Sequence, residues 1–160
     1  MPIYETDNAG TIHDRMKVLG ADVLIRTLEL FLDGEPQSKA QSDIDIEPTP
    51  APKLNRENTE IDFNHSSVDV FNFVRGLSPY PSAWCRLKVF DEEYIFKIFD
   101  TAIITSEDKT IQLQEAGETY ISDKNRLFVK TADGMIEILE LQASGKKRMK
   151  TKDFLNGLRF

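Results

Sequence analysis

The sequence predicts a mainly β protein with flanking helices, its strands forming a small antiparallel barrel behind an N-terminal helix and an extended linker. Three patterns predict this. Apolar residues recur every three or four positions between Ile12 and Phe31 and again between Val68 and Leu77, whereas after Pro81 the period falls to two. A run of short strands exposes two unpaired edges unless the sheet closes on itself, so closure is the expected arrangement. The Asp133-Gly134 dipeptide between the last two strands is the strongest hairpin signal in the chain.

Taken in order, the first element is a helix. Ile12, Met16, Leu19, Val23, Leu24, Leu28 and Phe31 form a broad apolar stripe; Thr11 and Asp14 are spaced as a capping box, and Asp33-Gly34 followed by Pro36 is the stop. Gly20 in its middle costs about 1 kcal/mol relative to Ala, which predicts a break into two helices or close backbone packing. From Asp33 to about Leu54 the periodicity disappears. Pro36, Pro48, Pro50 and Pro52 keep this stretch extended, and Asp33, Glu35, Asp43, Asp45 and Glu47 against Lys39 alone give it a net charge of −4.

A second helix begins between Asn64 and Ser67, all suitable N-cap types, and carries Val68, Phe71, Val74 and Leu77 on one face. Ser78-Pro79-Tyr80-Pro81 ends it, because proline cannot continue the hydrogen-bond ladder. Strands are expected over Trp84–Phe90, Tyr94–Phe99, Ile111–Gln114, Thr119–Ser122, Arg126–Thr131 and Met135–Leu141. Tyr94, Phe96 and Ile98 share one face, as do Leu127 and Val129. Phe154 and Leu155 belong to a short closing helix capped by Thr151. Phe63, Tyr80 and Trp84 lie where helix and barrel must meet, so core positions are expected, with base stacking as the alternative.

Composition bounds the function. A chain of 160 residues, 40% hydrophobic with ten Phe and four Tyr, buries a real core. Its single cysteine, Cys85, excludes an internal disulfide, no Cys/His set has metal-ligand spacing, residues 1–7 show neither the basic region nor the apolar core that would support secretion, and no run approaches eighteen apolar residues. A cytoplasmic protein without metal is the expectation. A net charge of −7 argues against non-specific coating of nucleic acid, so any phosphate contact must be local.

One stretch is sorted by charge. Lys146-Lys147-Arg148-Met149-Lys150-Thr151-Lys152 carries five cations and leaves about −12 for the rest of the chain. This run, placed in the loop between the last strand and the last helix, is the best candidate for contact with a polyanion; the plain alternative is a solubilising surface.

A set of short motifs also occurs in order: Ala9-Gly10-Thr11, Leu19-Gly20-Ala21, Thr27-Leu28, Asp33-Gly34, Ala51-Pro52-Lys53-Leu54, Ile61-Asp62-Phe63, the run from Val74 to Trp84, Leu141-Gln142, Gly145-Lys146-Lys147-Arg148-Met149 and Asp153-Phe154-Leu155-Asn156-Gly157. Together they resemble the C-terminal part of the methionyl-tRNA formyltransferases, across essentially the whole chain. The resemblance implies three parts: residues 1–34 as the helical tail of an N-terminal formyltransferase domain, 35–63 as linker, and 64–160 as a barrel related to the oligonucleotide-binding fold. It further implies that the barrel holds initiator methionyl-tRNA, with Lys146, Lys147, Arg148, Lys150, Lys152 and Arg75 as candidate contacts. Arg75, next to Gly76 at a helix end, serves equally well as a structural cap.

The family's catalytic Asn-x-His, its Ser-Leu-Leu-Pro stretch and its downstream Asp do not occur in this sequence. The resemblance therefore implies that catalysis and the binding of 10-formyltetrahydrofolate belong to the N-terminal domain, that this chain alone is inactive, and that it reads as a fragment. His13 and His65 are expected to be surface or capping residues. The apolar face of helix 11–32 would then pack on that catalytic domain in the parent enzyme, and in this chain self-association or docking onto the barrel is expected. The acidic linker is at odds with an RNA-facing role. Two alternatives stay open: another formyltransferase-family enzyme acting on a nucleotide sugar or formyl-folate, and a free-standing barrel that binds RNA or protein.

Overall fold

The computed structural model describes residues 1–34, 36–104, 114–122 and 125–158. The chain divides into two compact units, Thr11–Lys53 and the combination of Met1–Gly10 with Leu54–Phe160. The expected linker, 35–63, is thus split at residue 54. Ile61 and Phe63 are core residues of the larger unit, and Trp84 Nε1 donates a 2.6 Å bond to the Arg56 carbonyl, so these residues pack as part of the barrel.

In the smaller unit the helix α1 spans Ala9–Asp33, starting two residues before the expected cap, and none of its residues is buried. It runs unbroken through Gly20, where an added Cβ would have nothing within 4 Å. Neither a break nor close packing explains that glycine. Gly34 takes φ +144°, a conformation that favours glycine, and ends the helix as expected.

The larger unit is built on six strands: β1 (Ala83–Val89), β2 (Glu92–Ile103), β3 (Thr119–Ile121), β4 (Leu127–Lys130), β5 (Met135–Ala143) and β6 (Met149–Lys150). All pair antiparallel in the order β1-β2-β5-β4-β3, with β6 added to β5. Of the expected strand at Ile111–Gln114, residues 111–113 lie outside the described residues. The end strands β1 and β3 approach each other, and the Thr119 hydroxyl donates a 2.5 Å bond to the Lys88 carbonyl. Among the described residues no backbone ladder joins them, so the sheet is a half-barrel bridged at its gap by that side chain.

Two helices cover it, α2 (Ser67–Leu77) and α3 (Thr151–Asn156). The buried face of α2 is Ser67, Val70, Val74 and Leu77; Val68 is exposed. Val74 and Leu77 face inward as expected, but Ser67 and Val70 take the inward places expected for Val68 and Phe71. The reason is the cap: Ser66 accepts from Asp69 N, and Ser67 N donates 2.7 Å to Asp133 Oδ1 in the β4–β5 connection. Val70, Val74 and Leu77 then meet Phe96, Ile98, Leu141 and Phe154 in one core. In α3 the cap position is Lys150 rather than Thr151, whose hydroxyl is buried without a partner.

The turns are used differently from their sequence signals. β1 and β2 are joined through Phe90 and Asp91, both at positive φ (50° and 67°), the conformation of a type I′ hairpin without its usual glycine. Gly134 has no positive φ; instead an added Cβ would lie 2.9 Å from Ser67 Oγ. That hydroxyl is held 2.7 Å from Thr131 Oγ1 and 3.0 Å from Asp133 Oδ1, so it cannot move aside freely. Close approach of helix and hairpin, not turn geometry, demands the glycine.

These two glycines predict opposite outcomes in urea unfolding followed by circular dichroism. Gly134→Ala should lower stability by about 1–3 kcal/mol through overpacking, whereas Gly20→Ala should stabilise its helix by up to about 1 kcal/mol. A neutral Gly134→Ala would contradict the packing described.

Candidate nucleic-acid interface

The outer face of β1, β2 and β5 is organised in rows by strand register. Trp84 pairs with Lys97, and Lys97 with Gln142, so three side chains stand side by side across three strands. The neighbouring row pairs Arg86 with Ile95, which in turn accepts 3.0 Å from Ser144 N. Trp84 is buried, because residues 56–61 run beside it: Ile61 N donates 2.8 Å to the Trp84 carbonyl, and the Arg56 guanidinium carbon lies 4.7 Å from the indole centroid. The Arg86 guanidinium carbon is 5.9 Å from the same ring. Arg56, Trp84, Lys97, Gln142 and Gly145 line an open groove of about 510 Å³.

The candidate basic run begins at the lip of this groove. Gly145 turns at φ +75°, Lys146 N donates 3.0 Å to the Ala143 carbonyl, and Gln142 Nε2 donates 2.8 Å to the Lys146 carbonyl. The backbone is pinned while the side chains of Lys146 and Lys147 remain exposed. Neither has an ion-pair partner among the described residues, nor do Arg56, Lys97 and Lys152.

Arg148 and Lys150 are arranged otherwise. Arg148 makes a two-point contact with Glu140 (2.9 and 3.0 Å), its guanidinium carbon lies 4.2 Å from the Phe99 ring centroid, and Lys150 Nζ is 3.4 Å from Glu140 Oε2. The expected loop is here partly strand, since Met149 and Lys150 form β6 and Thr151 and Lys152 open α3. The bond to Arg148 holds the Glu140 carboxyl below its ordinary range and the Arg148 guanidinium above its own. Opposite Glu140 across a β-bulge stands Asp100, whose carboxyl is pushed up by burial.

Arg75 is a strap. Its Nη1 donates to the carbonyls of Tyr4, Glu5 and Asp7 (3.1, 3.4 and 3.2 Å), and its Nε to Asn72 Oδ1 (2.8 Å). With Arg148 it lines a separate cavity of about 470 Å³, where Glu5, Asp7, Asp100 and Glu140 outnumber the two cations. The six sequence candidates therefore fall into three settings: exposed lysines, a pair bound to Glu140, and a strap.

Other side chains stand as follows. Phe63 and Trp84 are buried, but Tyr80 is 85% exposed, so its expected core position is corrected; the turn between helix and β1 turns it out to solvent. His13 and His65 are exposed, each within 3.6 Å of a neighbouring aspartate. Arg56, Arg86, Lys97 and Gln142 escaped sequence reasoning. The alternation of Trp84, Arg86 and Lys88 on one strand face could have found Arg86, but Arg56 is brought in by a segment with no periodicity.

Residues 53–159 match the family described as formyl transferase, C-terminal domain. The methionyl-tRNA formyltransferase of Flavobacterium psychrophilum is 38% identical over 161 residues, 100% of this chain and 49% of the relative. That of Azobacteroides pseudotrichonymphae is 40% identical over 98% of this chain and 49% of its own length. The chain spans about half the length of these curated relatives. A HypX variant from Aquifex aeolicus shares the fold, with a TM-score of 0.61 at 16% identity over 97% of this chain and 27% of that one.

The carboxyl pair predicts a pH dependence. An acid held below its ordinary value stabilises the fold above that value, and the contribution is lost as pH falls through the lowered one. Glu140 follows this rule, whereas Asp100, held above its ordinary value, favours the fold as it becomes protonated. Glu140→Gln should therefore flatten the acid limb of a melting-temperature profile taken from about pH 3 to 7. A limb as steep as the parent's would contradict the Arg148 contact.

Proposed function

The chain belongs to the formyl transferase C-terminal domain family, and we propose that it is the C-terminal portion of a methionyl-tRNA formyltransferase whose barrel holds the initiator tRNA. The observation that carries this is the cationic groove. In a protein of net charge −7, Arg56 and Lys97 line the groove and Lys146 and Lys147 follow Gly145 at its lip, all without carboxylate partners among the described residues, and the turn bearing the two lysines is fixed by Gln142. Fixed cations that are not neutralised internally are what a sugar-phosphate chain needs, since phosphate contacts position an RNA without reading its bases.

In this reading Lys152 is a further exposed cation, while Arg148 and Lys150 are held by Glu140 and Arg75 by the carbonyls of Tyr4, Glu5 and Asp7 until RNA competes for them. The reaction itself, transfer of a formyl group from 10-formyltetrahydrofolate to the methionyl amine in the cytoplasm, falls to the N-terminal catalytic domain. Of the expected divisions 1–34, 35–63 and 64–160, the first is then the tail of that domain, and the linker shortens to residues 35–53, with 54–63 joining the tRNA-binding part. The apolar residues of α1, with Val23, Leu24, Leu28 and Phe31 all more than half exposed, supply the surface for that domain or for self-association. No helix among the described residues is long and apolar enough to cross a membrane.

Titration with initiator tRNA at several salt concentrations tests the reading. Replacing Lys146 and Lys147 with Ala should lower the slope of log K against log salt by just under one unit per lost contact, and the chain alone should give no product in a single-turnover formylation assay. An unchanged slope would reduce the lysines to solvated surface.

A further inference from the structure

Arg56 is tied to one indole ring at two points. Its carbonyl accepts 2.6 Å from Trp84 Nε1, and its guanidinium carbon lies 4.7 Å from the centroid of the same ring. The first contact fixes the backbone and the second holds the head group over the ring, so less rotamer freedom is left to lose when a ligand arrives. The indole itself is 9% exposed and closed to a ligand. The guanidinium is not closed, because Arg56 is exposed and lines the groove with Lys97 and Gln142.

A phosphate uses the edge of a guanidinium, through paired N–H donors, and asks nothing of its faces. Here the guanidinium carbon lies over the ring. A planar, weakly hydrated cation backed by an aromatic ring is suited to stack a second flat π system on its free side, as unpaired RNA bases stack on arginine planes. The surroundings suit the rest of a nucleotide: Lys97 stands next to Trp84 in the same cross-strand row, and Gln142, the third member of that row, holds the Lys146 turn.

Resting on the RNA reading above, we infer that Arg56, backed by Trp84, is a stacking platform for one unpaired base of the bound RNA. Lys97 and the Lys146-Lys147 turn take the phosphates on either side of that nucleotide. The platform contributes affinity that depends on a base being present and not on salt, whereas the lysines contribute the salt-dependent part.

Trp84 is the single tryptophan, so its fluorescence reports the platform directly. The chain is titrated with a short single-stranded RNA and with the same RNA made abasic, at several salt concentrations, alongside the Arg56→Lys variant. That variant keeps the charge and the carbonyl bonded by Trp84, and an unchanged near-ultraviolet dichroism spectrum verifies its fold. The natural RNA should change Trp84 fluorescence and bind about tenfold tighter than the abasic one. Arg56→Lys should lose most of that tenfold difference and keep the salt slope. Equal, salt-dependent binding of both RNAs overturns the platform and leaves the phosphate groove standing; so does an Arg56→Lys variant that discriminates between them as well as the parent. Absence of salt-dependent binding to either RNA overturns the groove and the platform together.

Discussion

The pairing of β2 with β5 decides which side chains are core and which are surface. In its first stretch Phe96, Ile98, Leu141 and Ala143 point inward and are almost completely buried, while Lys97 and Gln142 point outward in one row. A slip of one residue would exchange the two sets, exposing the aromatic core and burying a lysine, so the hydrophobic effect holds the register at a cost no surface contact could offset. The outward row exists because the inward row is apolar. Outer groove and core are two faces of one ladder.

That ladder is interrupted once. Between Ile98 and Thr101 the register shifts by a residue, which sets Asp100 opposite Glu140. Two carboxyls facing each other need a cation, and Arg148 supplies it from the turn that follows β5. The bulge thereby divides the basic run into a portion engaged with the protein and a portion exposed to solvent. In a molecule of net negative charge this division confines positive potential to a small area, so long-range steering of an anion is weak.

Helix and hairpin constrain each other in a similar way. Asp133 caps α2 through Ser67 N, and Gly134 lets that end of the helix approach within a distance no Cβ would tolerate. The Asp133-Gly134 pair was legible in the sequence as a hairpin, and the hairpin is there. Its physical purpose was not legible, because the partner lies 66 residues away. Conversely Phe90-Asp91, which makes the positive-φ turn, carries none of the residues that usually announce one. The continuous pairing of β1 and β2, closed at Val89 and Glu92, imposes that conformation on two residues that would not choose it alone.

The sequence by itself determined the alternation of inward and outward side chains along the strands, both long helices, the boundaries set by proline and Gly34, and the existence of a basic segment after the last long strand. These are local consequences of period and backbone chemistry, which need no partner to be read. Only long-range packing set which residues of the first turns of α2 face inward, the exposure of Tyr80, the strand pairing of Met149 and Lys150, the engagement of Arg148 and Arg75 by the protein, and the arrival of Arg56 over Trp84. Each depends on a contact between residues far apart in the chain. Such contacts are selected by the total burial and charge pairing of the folded molecule, which no window of the sequence contains.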